Sequence, residues 1–410
     1  MKGTSRKRKK ISLFGNFGTS NFGNESTLQA ILYHLRRLSP DAEVACICTG
    51  PGATAATHNV QAIPISRRVV TSWKLRNPLA RLLRQVFIGI PSELYRWLDA
   101  LRTLKGADML IIPGTGLLTD AYGLLGWGPY NLFKWSVMAK LCRCKVLFVS
   151  VGVGPLYGAL ARRLVKAVFY LANFRSYRDH SSVNYLKKIG FRAGNERVYP
   201  DLVFSFPEAF IPHCEGKRAG RPVVGLGLME YAGKYSVEEP SNTIYLAYLE
   251  TLVVVVKWLL AHEYDIRLLV GDGCDRPVIQ EFRALLTMRL KTYDEERIID
   301  APVSSVEQLL SQLASTDLVV ATRFHNVLMA LLLYKPVISI SFHHKCASLM
   351  SEMGLAEYCH DINHMNADRL IEQFQDVERN AEKLKPLIRQ KVEQSRKALD
   401  EQYSLIFKGV

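Results

Sequence analysis

Short, nearly unbroken apolar runs alternate with longer amphipathic segments along almost the whole chain, and that alternation limits the fold more than any other feature. Lys10–Phe14, Glu43–Thr49, Asp108–Ile112, Lys145–Val151 and Phe174–Tyr177 are such runs, and Gly50-Pro51-Gly52 stops the second of them. Strands buried on both faces are expected to be continuously apolar rather than alternating. Between them, Glu25–Leu38, Leu160–Phe174 and Ser182–Ile189 have helical period. Strand–helix alternation implies a parallel sheet with helices on both faces.

A polar stretch punctuated by Pro207, Pro212, Gly216, Gly220 and Pro222 interrupts the pattern, which then restarts. The second series predicts strands at Val223–Leu228, Tyr264–Val270, Arg297–Ile299, Leu318–Ala321 and Pro336–Ser341. It predicts helices at Ile244–Glu263, Val278–Arg289, Val306–Ala314 and His325–Leu333. The fold class is α/β, with two doubly wound Rossmann-like domains facing across a cleft. The expected organisation is a basic tail over 1–10, a first domain over 11–206, a linker over 207–221, a second domain over 222–366 and a helical segment over 367–410. That last segment is charged, and it either covers a surface or returns onto the first domain. A length of 410 residues with 48% hydrophobic content supplies two cores of ordinary size.

The net charge of +15 is uneven, since Lys2, Arg6, Lys7, Arg8, Lys9 and Lys10 precede any apolar period. Such a run is either a solvated tail or an arm for an anionic membrane surface. The remaining basic charge suits an acidic ligand. Nucleic acid is not expected as a partner, because no zinc spacing, RNA-recognition signature or dense aromatic–basic alternation is present. Cys46 and Cys48 fall within a strand, and no Cys-x-x-Cys is matched by a second pair or by spaced histidines, so no metal site is expected. No apolar core of a secretory signal follows the basic start, and the apolar run Leu252–Ala261 is interrupted by Lys257. The expected location is the cytoplasm, with the inner membrane face open as a peripheral site.

Ligands of open α/β sheets bind beyond the carboxyl ends of the strands. The first such loop, Gly15 to Glu25, has three glycines among small polar residues before a helix start, and either cradles an anion or makes an ordinary glycine turn. Loops Pro113 to Asp120 and Gly152-Val153-Gly154-Pro155 follow two further strands, and neither is a Walker loop or a dinucleotide fingerprint. Arg178 closes the next strand, where a planar guanidinium can grip a carboxylate or phosphate. Asp179 or Ser181 beside it is expected to cap the next helix, and Asp201 reads as a turn residue or an arginine partner. The most informative segment is Ala321-Thr322-Arg323-Phe324-His325-Asn326, which joins a strand to an apolar helix. Arg323 and His325 there can point into one cleft, and an imidazole is the usual proton carrier at neutral pH. Lys345 follows the next strand, and Asp275 in the loop Gly271 to Asp275 either meets sugar hydroxyls or caps a helix. Tyr122, Trp127, Tyr130 and Tyr231 either stack on sugars or belong to the core.

In order and spacing these motifs resemble the polysaccharide pyruvyl transferase family over residues ~11 to ~360. Asn21-Phe22-Gly23-Asn24-Glu25, the Asp108–Asp120 stretch, Gly152-Val153-Gly154-Pro155, Arg178-Asp179 with Ser181, Pro200-Asp201, Arg323-Phe324-His325 and Lys345 carry the likeness. Thr115, Asn24 and Lys335 depart from the pattern. The resemblance implies the two-domain fold of B-type glycosyltransferases and transfer of pyruvate from phosphoenolpyruvate to a saccharide as a ketal. It implies no cofactor beyond that donor. On this reading His325 and Arg323 are catalytic, while Arg178, Lys345, Asn21, Gly152, Gly154 and Asp275 bind substrate, with the acceptor carried on a polymer or a lipid. A nucleotide-sugar glycosyltransferase and a non-catalytic saccharide-binding assembly component are the competing readings of the same fold.

Overall fold

Parallel strands can be joined only by crossovers, so each sheet here is threaded by helices. The computed structural model describes residues 8–67, 85–120, 128–192, 194, 196–212, 220–231, 241–290, 292–342 and 344–407. The chain forms two units, one comprising 1–19, 35–178 and 182–198, the other 20–34, 179–181 and 199–410.

Unit 1 is built on β1 (Lys10–Gly15), β2 (Glu43–Cys48), β3 (Gln61–Pro64), β4 (Met109–Pro113), β5 (Lys145–Val151), β6 (Phe174–Tyr177) and β7 (Arg197–Val198), in the order β3-β2-β1-β4-β5-β6-β7. Every pairing is parallel. The apolar runs predicted from sequence are these strands to within a residue. β3 and β7 are not legible as apolar runs, since one is a polar-bounded edge ending in Pro64 and the other is two residues long. Gly50 does end β2, but Pro51 then opens helix α2 (Pro51–His58), where proline at the first helical position loses no hydrogen bond.

Helix α1 (Phe22–Leu38) follows β1. Helices α3 (Ile90–Leu104), α4 (Gly128–Leu141), α5 (Ala159–Leu171) and α6 (His180–Lys188) complete the described crossovers of this series. The core packs Phe148 on Phe169 at 4.8 Å between ring centroids, and Phe169 on Tyr177 at 5.6 Å. Cys46 and Cys48 are buried in β2, as small strand residues should be.

Unit 2 repeats the plan. Its strands are β8 (Val223–Gly227), β9 (Asp265–Leu269), β10 (Ile298–Ile299), β11 (Leu318–Ala321), β12 (Val337–Ser341) and β13 (Cys359–Asp361), ordered β10-β9-β8-β11-β12-β13 and again parallel throughout. The helices are α7 (Ser241–Ala261), α8 (Arg276–Arg289), α9 (Val306–Ala314), α10 (Phe324–Leu332), α11 (His344–Glu352) and α12 (Ala367–Phe407). Despite Lys257, the stretch Thr243–Ala261 of α7 is long and apolar enough to cross a membrane, yet half of it is buried inside the fold. Tyr248, Leu249, Leu252 and Val256 turn inward, as in the core helix of an α/β layer.

The 41-residue α12 packs within unit 2, against α7 and the short helix Leu202–Ser205. Tyr403 stacks on His34 with centroids 4.2 Å apart, and its hydroxyl meets Ser205 Oγ at 3.0 Å. Ser205 O in turn lies 2.9 Å from His34 Nε2.

Candidate functional site

Strand order reverses between β1 and β4 in unit 1 and between β8 and β11 in unit 2. Those switch points open crevices beyond the strand ends, where ligands of such sheets bind. Arg323 stands two residues beyond β11, at the switch point of unit 2.

Arg323 is the residue before the first turn of α10, and Asp275 grips it. Nε lies 3.1 and 2.9 Å from the two carboxylate oxygens and Nη2 lies 2.5 Å from Oδ1, a two-pronged fit. Asp275 is fully buried, while Arg323 keeps part of its side chain open. Burial pushes the Asp275 carboxyl upward, and the guanidinium opposes that push. Burial also works against the Arg323 cation, but the hydrogen bonds and charge of Asp275 outweigh it and raise its pKa. Cys274 Sγ sits 3.1 Å from Arg323 Nη2, and burial lifts this thiol to about 11, so it faces the cation as a neutral group.

The loop after β9 that supplies Asp275 is stitched to the start of α1. Gly273 N donates to Ser20 O at 3.0 Å, Phe22 N to Gly271 O at 3.3 Å, and Asn21 Nδ2 to Asp272 Oδ2 at 2.5 Å. Asn21 also caps α1 by accepting from Asn24 N at 3.1 Å. This seam brings Gly23 beneath His325. A Cβ added to Gly23 would stand 1.9 Å from His325 Nδ1, so the imidazole rests directly on the glycine backbone. His325 lies in the first turn of α10, half-buried, with the ring of Phe324 edge-on at 5.1 Å.

Behind this pair, the fully buried Asn326 amide lies between Gly227 and Gly271, where added Cβ atoms would fall 2.9 and 2.8 Å from it. Among the described residues, neither Nδ2 nor Oδ1 of Asn326 has a hydrogen-bond partner.

In unit 1 the loops after β4 and β5 interlock. Asp120 accepts from Tyr157 N and Gly158 N, both at 2.7 Å, Thr119 Oγ1 donates to Pro155 O at 2.8 Å, and Gly154 N donates to Leu118 O at 2.9 Å. Arg178 is buried, with its guanidinium against Gly152: an added Cβ there would lie 2.7 Å from Nε. Gly154 takes a φ of +91° with the Tyr185 ring over it, a backbone that any side chain would strain.

The structure therefore gathers Asn21, Asp275, Arg323 and His325 in unit 2, and Arg178 with Gly152 and Gly154 in unit 1. Lys345 is half-buried in the first turn of α11, also in unit 2. The substrate-binding expectations for Asp275 and Asn21 need correction, and the open alternatives for Tyr130 and Tyr231 are decided. Asp275 is not placed for sugar hydroxyls, because both of its oxygens are buried and engaged by Arg323, Glu230 N and Asp272 N. Asn21 spends its amide on Asp272 and on capping α1. Tyr231 is buried beside Phe342, and the Tyr130 hydroxyl donates to Glu93 at 2.8 Å, so both are fold residues. Tyr122, Trp127 and the tail through Lys7 lie outside the described residues.

The glycines at the start of the first loop serve packing, with Phe17 over Gly15 and Gly50 against Gly18. Asp201 accepts from Val203 N at 3.1 Å, as a turn residue does. Lys335 donates to Ala314 O and Thr316 O at 3.0 and 2.6 Å. Sequence reasoning missed the Asp275–Arg323 clamp and the seat at Gly23. Among the described residues, no group of three or more His, Cys, Asp or Glu side chains is positioned to hold a metal ion.

Two parallel α/β units with these strand orders define the B-type glycosyltransferase fold. A glycosyltransferase from Rickettsia africae shares it with a TM-score of 0.58 at 13% identity, covering 98% of this chain and 100% of that one. A putative UDP-N-acetylglucosamine 2-epimerase from Listeria monocytogenes does so at 0.59 and 10% identity, covering 93% and 91%. The sequence is more specific than the fold. Residues 21–344 match the polysaccharide pyruvyl transferase model, and the chain belongs to that family. It is also 21% identical to the amylovoran biosynthesis protein AmsJ of Erwinia amylovora, over 94% of this chain and 96% of that one.

Proposed function

We propose that this protein transfers the pyruvyl group of phosphoenolpyruvate to two hydroxyls of one hexose in a polysaccharide or lipid-linked saccharide, forming a ketal. Family membership and the likeness to a polysaccharide biosynthesis protein support the reaction class. The observation that carries the site assignment is the clamped Arg323 two residues from His325 at a sheet switch point. A donor with two to three negative charges needs fixed cations. Arg323 is held in one orientation by Asp275, so it meets an anion with little further ordering.

His325 gives a proton to C3 of the enol, and positive charge develops at C2. One sugar hydroxyl adds to C2, the C2–O bond to phosphate breaks, and the second hydroxyl closes the ketal. Of the two hydroxyl protons released, one replaces the proton spent by His325 and the other leaves with phosphate. Lys345, in the same unit, is assigned to the donor's charge. Arg178 and the Gly152–Gly154 backbone, in unit 1, are assigned to the donor on motif likeness alone. No cofactor is assigned beyond the donor, and the reaction is placed on the cytoplasmic side.

Phosphate release from phosphoenolpyruvate over a panel of saccharide acceptors tests the reaction. His325→Ala should lower kcat by roughly 10²–10⁴ if it is the general acid. Turnover of a sugar nucleotide in place of phosphoenolpyruvate overturns the proposal, and near-normal kcat in His325→Ala removes the acid role.

A further inference from the structure

Helix α3 and the π-helical turn Gln85–Gly89 before it carry a row of large apolar side chains in solvent. Ile90, Leu94 and Leu98 recur every fourth residue, so they share one helical face, and they are 55%, 61% and 51% exposed. Phe87, at 73%, extends the row, with Val86 and Tyr95 exposed beside it. Contiguous apolar surface of this kind is uncommon on a soluble chain and marks an interaction site.

The inner face of α3 is already committed. Ala100 and Leu104 are buried, and Trp97 and Leu101 pack on the core of unit 1. Glu93 accepts from Arg96 at 2.8 Å, Tyr130 at 2.8 Å and Lys134 at 3.2 Å, while Trp97 Nε1 donates to Tyr130 at 2.9 Å. The outward row thus belongs to a seated helix.

Charge in the neighbouring sequence selects the occupant. Between residues 66 and 105 the sequence has nine Arg and Lys against two acidic residues, Glu93 and Asp99. Among the described ones, Arg67 pairs with Asp99 at 3.1 Å and Arg96 with Glu93 at 2.8 Å, while Arg102 and Lys105 are exposed. Apolar side chains that enter an acyl boundary while Arg and Lys meet headgroups are the signature of an interfacial helix. We propose that the α3 face docks the protein peripherally on an anionic lipid bilayer. This docking is independent of the pyruvyl transfer reading, because it needs neither donor nor acceptor.

Co-sedimentation of the full chain with vesicles tests it, comparing phosphatidylcholine alone with phosphatidylcholine containing phosphatidylglycerol. Binding should require the anionic lipid and weaken as salt rises. Phe87→Ser with Leu94→Ser should reduce it by about tenfold or more, and Arg102→Glu with Lys105→Glu should also reduce it. Met288→Ser, at an exposed apolar residue of unit 2, should not. Circular dichroism and melting check that each variant is folded, and either pair suffices if the other fails. Absent binding, equal binding to both lipids, or folded α3 variants that bind normally would overturn the proposal. So would lipid-free self-association that depends on Phe87 and Leu94.

Discussion

The imidazole of His325 rests on the backbone of Gly23, which leaves no room for even one methyl group between them. Glycine is needed there for close approach rather than for backbone freedom, since it lies in the first turn of α1 and its carbonyl accepts from Thr27 Oγ1 at 3.0 Å. Gly23→Ala must therefore push the ring aside. A displacement near 1 Å can cost about 10² in rate, so kcat should fall by that order while the fold persists. Steady-state kinetics beside a thermal melt would separate the two effects. Gly52→Ala, where a Cβ meets nothing within 4 Å, should leave both unchanged.

Asp275 is buried beneath the partly open Arg323, and removing one partner strands the other. Asp275→Asn keeps the shape of the side chain but removes its charge. Loss of one member of a buried pair costs about 3–5 kcal/mol, and this change should approach the lower end because the amide oxygen still accepts. Denaturant unfolding reads that loss. On the proposed mechanism, KM for phosphoenolpyruvate should also rise, since the guanidinium is no longer held in one orientation. A variant with unchanged stability and KM would show that the clamp does neither.

Glu93 fastens α3 to unit 1, and its acid–base balance makes that attachment sensitive to pH. Burial alone would raise its pKa, but hydrogen bonds from Arg96 and Tyr130 and the charge of Lys134 lower it overall. Burial lowers the Lys134 pKa in turn, against the pull of Glu93. A carboxylate depressed in the folded state stabilises above its unfolded pKa of about 4.3, and that stabilisation is lost as pH falls through the lower folded value. The melting-temperature gap between the native chain and Glu93→Gln should accordingly be widest near neutrality and shrink below about pH 4. A constant gap across that range would exclude the carboxylate as its source.

Much of this architecture is local and hence readable along the chain. Buried parallel strands are unbroken apolar runs, so β5, β6 and β11 have the boundaries their sequence predicts, as does helix α9, and α12 begins where the last helical segment is expected. Arg323 and His325 stand out because they follow a strand and open a helix, which is a matter of neighbouring residues. The ordered glycine, arginine and histidine motifs that mark the family are likewise linear.

Pairing across distance is a different matter. Asp275 and Arg323 are 48 positions apart, and Asn21 and Asp272 are 251 apart. Whether such residues meet depends on which strands become neighbours and where their loops emerge. Tertiary structure alone turned Asp275 from a sugar ligand into a holder of arginine, and Gly23 into the seat of an imidazole. It also decided that Leu94 and Leu98 face solvent while Ala100 and Leu104 face the core. Propensity and periodicity act over a few residues, whereas the partners of a side chain are chosen by the packing of the whole sheet.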